Sequence, residues 1–106
     1  MEVAFADDYL LELYQGIAVG KPKFQNSVVK KFRQRVNTLK MASSTEELRQ
    51  FRSLNFEALI GDRKGYHSIR VDRKYRLILT VTGNKLQIGE VKEERVIIEE
   101  MNNHYQ

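Results

Sequence analysis

The chain has 106 residues, no cysteine, 30% charged residues and a formal net charge of +4. That length fits one domain spanning 1–106 with one modest core, and the lack of cysteine excludes a disulfide framework or a thiolate metal site and fits a reducing cytoplasm. His67 and His104 are too few for a typical zinc site, and the acidic start from Met1 to Asp8 offers no secretory leader or membrane span.

Val3-Ala4-Phe5 reads as a short first strand. Asp7 or Asp8 caps a helix that should run through about residue 18, with Leu10, Leu11, Leu13, Tyr14 and Ile17 as its broad apolar side. Gly16 and Gly20 weaken its end, and Pro22 separates it from the next element. A second helix is expected from about Phe24 to Met41. Its stripe is Phe24, Val28, Phe32, Val36 and Leu39, spaced by three and four residues. Lys30, Lys31, Arg33 and Lys40 lie off the stripe, and Arg35 snorkels past it. The two helices should pack as an antiparallel pair.

Ser44-Thr45-Glu46-Glu47 has the pattern of a capping box, so a short helix should run from Thr45 to about Phe51. Leu54 to Leu59 is a connector or short strand. Gly61 to Gly65 is a basic, turn-rich loop. Strands follow at about Tyr66 to Val71 and Tyr75 to Val81, with a turn at Gly83-Asn84. Leu86, Ile88 and Val91 suggest a further strand, as do Val96, Ile97 and Ile98. Helices first and a meander of strands afterwards make an α+β domain: an N-terminal helix pair packed on a small, mainly antiparallel twisted sheet.

Charge is unevenly spread. From Lys21 to Lys40 there are seven Lys or Arg and no acid, and Asp62 to Arg76 carries six bases against two acids. A basic surface of this kind fits nucleic acid, an anionic membrane surface or an acidic protein, against the plain alternative of a solvated helix face.

The segment Ile69 to Leu77 carries the sharpest signal. With Asp72-Arg73-Lys74 as a turn, Val71 pairs with Tyr75, Arg70 with Arg76 and Ile69 with Leu77. Alternation then places Ile69, Val71, Tyr75 and Leu77 on one side, and Arg70 and Arg76 together on the other. Opposed like charges are destabilising. A pair of guanidinium forks on a rigid sheet nevertheless suits phosphate oxygens. The structural alternatives are an ion pair for Arg76 and a salt bridge from Arg70 to Glu99 or Glu100. His67 falls on the apolar side, as a packed core-edge histidine. Tyr66 falls on the arginine side, where it can stack on a base or pack across strands.

The run Gly61-Asp62-Arg63-Lys64-Gly65-Tyr66-His67-Ser68-Ile69-Arg70-Val71, then Tyr75-Arg76-Leu77 and the ending Asn103-His104-Tyr105, resembles the HigB killer proteins of the RelE/ParE toxin superfamily. The specific motifs cover residues 59–77 and 96–105, and element order agrees over most of the chain. The resemblance implies a toxin of a toxin–antitoxin pair that enters the ribosomal A site and cuts mRNA there. It implies no metal or other cofactor: the ribose 2′-hydroxyl attacks the neighbouring phosphate and leaves a 2′,3′-cyclic phosphate. Its partners would be mRNA and rRNA on the ribosome, and an antitoxin that is a small helix-turn-helix DNA-binding protein. No membrane is involved.

On this resemblance Arg76 and Arg70 stabilise phosphate charge, His104 is a general acid or base, and Tyr105 stacks on a base or aids proton transfer. Arg63, Lys64, Tyr66, Arg73, Lys74, Lys30 and Lys31 are expected to contact RNA. The chain departs from some relatives in two places. Glu57 stands where they carry a histidine, and it is a candidate base. The ending is Asn103-His104-Tyr105 where they end Asp-Tyr-His. The rival expectations are a ParE-like protein that binds DNA gyrase without cutting RNA, and a basic RNA-binding module without activity.

Overall fold

A computed structural model describes residues 1–18, 20–84 and 93–103. Among them the order is β1 (Glu2–Phe5), α1 (Asp8–Gln15), α2 (Asn26–Met41), α3 (Thr45–Leu48), β2 (Glu57–Ala58), β3 (His67–Arg70), β4 (Arg76–Asn84) and β5 (Glu93–Asn102). Single 3-10 turns lie at Arg52–Leu54 and Gly61–Arg63. The strands form one sheet in the order β1-β5-β4-β3-β2. β1 runs parallel to β5, and the other neighbours are antiparallel. The α+β architecture expected from the sequence is therefore present.

Local chemistry sets the helix ends. The Asp7 carboxylate accepts from Leu10 N at 2.9 Å, which starts α1. Gly16 ends it in the left-handed region at φ 79°, two residues before Ala18. Ile17 therefore leaves the apolar side and is 61% exposed. Arg33 is not part of a solvated face. Its Nε and Nη2 donate to Leu13 O at 3.1 and 2.8 Å, placing a cation at the C-terminal end of α1.

Helix α2 begins at Asn26, two residues later than the stripe suggests, because Gln25 is extended (φ −67°, ψ 154°). Phe24 precedes the helix and wedges between the Tyr9 and Tyr75 rings, at 6.3 and 5.4 Å. Helix α3 stops at Leu48. Ser44 Oγ accepts from Glu47 N at 3.2 Å, as a capping box requires. The Glu47 carboxylate turns to Ser43 instead of Ser44. The Ser43 hydroxyl, then its N–H, holds that carboxyl below the usual carboxylate range. Glu94 of β5 takes the Thr45 N–H and hydroxyl at 2.9 and 2.8 Å, tying this helix to the sheet.

The core lies between the helices and one face of the sheet. Val28, Phe32, Val36 and Leu39 of α2 meet Ile69, Leu77, Leu79, Val96 and Ile98. Each such side chain, fully buried, contributes about 1.5–3 kcal/mol. Tyr75 is partly buried at the edge of this cluster.

Gly83 and Asn84 do not form the expected turn. Both continue β4 and pair with Glu94 and Glu93. Cross-strand pairing outweighs their local turn preference. The suggested strand through Leu86, Ile88 and Val91 lies outside the described residues. A register shift between Ile78 and Leu79 marks a bulge in β4–β5.

Candidate functional site

The hairpin has the register its pattern requires. Arg70 pairs with Arg76 and Ile69 with Leu77, and Val71 N donates to Tyr75 O at 2.9 Å. Asp72 Oδ1 accepts from Lys74 N and Tyr75 N at 2.9 and 2.8 Å, so the aspartate side chain fixes the turn. Ile69, Val71 and Leu77 point into the core. Ser68, Arg70, Arg76 and Ile78 point to the opposite face, and Ile78 is buried without belonging to the main core.

The two arginines differ sharply. Arg70 is exposed. Arg76 is only 2% exposed. Its Nε and Nη2 donate to Ser68 Oγ at 3.0 and 2.8 Å, and Nη2 also donates to Asn55 O at 2.8 Å. Glu57 Oε1 stands 3.5 Å from Nη2. The expected solvated arginine pair is thus one solvated arginine beside one fixed arginine. A charge this deep is tolerable only with such partners. Asn55 holds its carbonyl in place from a left-handed turn at φ 47°.

Ser68 was not visible as a site residue in the sequence, although its place on the arginine face was a usable signal. Glu57, left open as a base, is brought to the site. Strand β2 pairs with β3 through Glu57 opposite Ser68, and the Glu57 side chain is 38% exposed. A half-exposed carboxylate beside a fixed cation can accept a proton next to a bound phosphate.

The basic loop crosses the same face. Arg63 pairs with Glu100 at 2.6 Å, and its guanidinium lies 5.8 Å from the centre of the Tyr66 ring. Lys64 is exposed beside it. Glu100 therefore serves Arg63 and not Arg70, while Glu99 accepts from Thr80 Oγ1 at 2.7 Å. Arg73 and Lys74 are exposed at the hairpin tip. Lys30 and Lys31 are exposed on α2 but part company. Lys30 faces a groove shared with Tyr9 and Leu13, and Lys31 faces the hairpin tip.

His67 packs as its alternation suggests. It stacks on Phe56 at 5.0 Å with the planes 5° apart. Burial, then the nearby Arg49 cation, pushes its imidazole below the ordinary histidine value. His104 and Tyr105 lie outside the described residues. β5 runs to Asn102, directly opposite Arg76. Among the described residues no group of three His, Asp or Glu side chains is placed to hold a metal ion. No helix among them is long and apolar enough to cross a membrane.

The family model for the HigB-like toxins, described as the RelE-like toxin of the type II toxin–antitoxin system HigB, matches residues 3–103. Among curated protein sequences none matches the chain at a significant level. Solved structures share its fold. A YoeB/ParE toxin from Agrobacterium tumefaciens is 18% identical at a TM-score of 0.57, covering 99% of this chain and 100% of that one. A YoeB-YefM complex from Staphylococcus aureus is 20% identical at 0.57, covering 99% and 98%. YafQ from E. coli strain BL21(DE3) is 14% identical at 0.58, covering 97% and 92%.

Proposed function

The chain belongs to the HigB-like, RelE-like toxins of type II toxin–antitoxin systems, and from that premise we propose that it is a ribosome-dependent endoribonuclease that cuts mRNA in the A site. The observation that supports this most is the cluster on the open face of the sheet. Exposed Arg70 stands opposite Arg76, and Arg76 is held by Ser68 and Asn55 with the Glu57 carboxylate 3.5 Å away.

The chemistry follows from these groups and uses no metal. The scissile phosphate sits against exposed Arg70, and Arg76, buried beside it, adds its fixed charge to the stabilisation of the phosphorane without touching it. Glu57 takes the proton of the ribose 2′-hydroxyl. The 2′-oxygen bonds to phosphorus, the bond to the 5′-oxygen breaks, and His104 gives that oxygen a proton. The products are a 2′,3′-cyclic phosphate and a 5′-hydroxyl. Tyr105 stacks on a neighbouring base, and Tyr66, Arg63 and Lys64 border the strand's path.

A toxin of this type pairs with an antitoxin. Here the partner is a small helix-turn-helix DNA-binding protein, with an acidic segment that covers the basic face, and the toxin acts in the cytoplasm.

The test is 5′-end mapping of a reporter mRNA in a reconstituted translation system, with wild type and Glu57→Gln side by side. New ends inside A-site codons are expected with wild type, reduced about 100-fold or more in the variant, the usual range for losing a general base. Growth arrest in cells without new ends from wild type would sink the nuclease and favour gyrase binding, read by DNA supercoiling.

A further inference from the structure

Two groups that hold Arg76 flank a single aromatic ring in the chain. Asn55 O and Glu57 Oε1 stand 2.8 and 3.5 Å from Arg76 Nη2, and Phe56 lies between them. Alternation sends Phe56 to the core side of the sheet and Glu57 to the open face, opposite Ser68. The Phe56 ring stacks on His67 of β3 at 5.0 Å with the planes 5° apart. The Arg49 guanidinium lies 5.1 Å from the centre of the same ring.

The backbone alone gives this segment little hold. β2 has two residues and ends the sheet, paired on one side only. Asn55 turns through the left-handed region at φ 47° and adds no strand pair. Stacked rings supply attraction beyond the area they bury, and they fix an orientation. His67 Nδ1 is buried with no hydrogen-bond partner among the described residues. A buried nitrogen left unpaired costs stability, so this histidine contributes through the face of its ring. Burial, then Arg49, favours its uncharged form, which stacks without setting a second cation beside Arg49.

We infer that the Phe56–His67 stack is a positioning device, a clamp on the core side that sets Asn55 O and the Glu57 carboxylate against Arg76; its effect on cleavage rests on Glu57 as the proposed base. Neither ring touches substrate. Phe56 acts through the strand it belongs to, and His67 acts through Phe56.

The test compares wild type with His67→Leu, which removes the ring, and His67→Phe, which keeps one. Each is also made with Glu57→Gln. Cleavage of A-site mRNA is followed against ribosome concentration, which separates kcat from KM. His67→Leu should lower kcat by about 100-fold, the scale of an ångström's misplacement of a reacting group, with KM unchanged. His67→Phe should retain the wild-type kcat. With Glu57→Gln present, His67→Leu should cost nothing further, because the group it positions is already disabled. A ring that only supports the fold would lower cleavage by the same factor in both backgrounds, and that result overturns the clamp.

A second readout needs no activity. Exchange of the Arg76 Nε–H with water, followed by NMR, should lose protection in His67→Leu and keep it in His67→Phe. Protection equal to wild type in His67→Leu overturns the clamp. Should His67→Leu fail to unfold cooperatively, Phe56→Leu removes the ring from the other partner. Failure of both to fold would make the stack part of the scaffold and also overturn the assignment. If wild type cuts no mRNA, or Glu57→Gln cuts as fast as wild type, the nuclease or its base falls instead. Exchange at Arg76 then decides the clamp by itself.

Discussion

At the scale of single residues, the site joins a cation that costs stability to one that is held by its neighbours. Arg70 is exposed and directly opposite Arg76. Removing it relieves a like-charge pair and removes a proposed phosphate contact. Arg70→Ala should therefore leave stability equal or slightly higher in urea unfolding, while cleavage falls about 100-fold, as for other lost transition-state donors. A variant that loses stability and activity together would show Arg70 to be structural.

Ser68 is fully buried and takes two bonds from Arg76. Ser68→Ala should cost about 1–3 kcal/mol in the same measurement, because two charged donors lose their acceptor. Ser68 acts through Arg76, so Ser68→Thr should restore both stability and cleavage where Ala restores neither. His67 gives the pH-sensitive case. Its folded value is depressed by burial and by Arg49, so its contribution to stability is fully present above the unfolded histidine value. That contribution is lost as pH falls through the folded one. His67→Phe keeps a ring against Phe56 and should flatten this part of the stability profile. An unchanged profile in the variant would assign the pH dependence to other groups.

At the scale of elements, the hairpin shows what a sequence can carry. Its register follows from alternation alone, because a slip by one residue would set Val71 opposite Arg76 and mix the apolar and charged faces. The turn rests on one side chain. Asp72→Ala removes the acceptor for Lys74 N and Tyr75 N and should cost about 1–2 kcal/mol in urea unfolding. Asp72→Asn should recover most of that loss, since an amide oxygen can replace the acceptor.

The burial of Arg76 was not legible in the same way. Alternation assigns a residue to a face and says nothing of what crosses that face. The crossing segment here is the stretch from Asn55 to Arg63, tied down through Arg76 and Glu100. Its order depends on a left-handed Asn55 and a two-residue strand, and neither has a periodic signature. Gly83-Asn84 failed for a related reason. The pair looks like a turn by composition, yet its backbone is already committed to Glu94 and Glu93. The helix stripes are legible in the sequence apart from Phe24 and Ile17 at their ends, because core burial and periodicity have one cause. The ends of α1 and α2 moved by the reach of a glycine in the left-handed region and an extended Gln25.

At the scale of the whole molecule, one layer supports the fold and the opposite face is left for chemistry. The helices bury one face of the sheet around Phe32, which is fully enclosed. Ser68, Arg70, Arg76 and Glu57 stand on the other face, so core and site can be separated by mutation. Phe32→Ala leaves a large cavity and should cost about 3–5 kcal/mol, a large part of the about 5–15 kcal/mol that holds a typical domain. Growth inhibition should then weaken in proportion to folded protein, and cooperative unfolding should shift to lower urea. Glu57→Gln should abolish cleavage with the unfolding midpoint changed far less, because Glu57 is half-exposed at the sheet edge. The two variants thus distinguish a toxin that fails because it is unfolded from one that is folded and chemically inert. If Glu57→Gln unfolded as readily as Phe32→Ala, the carboxylate would belong to the scaffold that holds Arg76, and the base would have to be sought at His104.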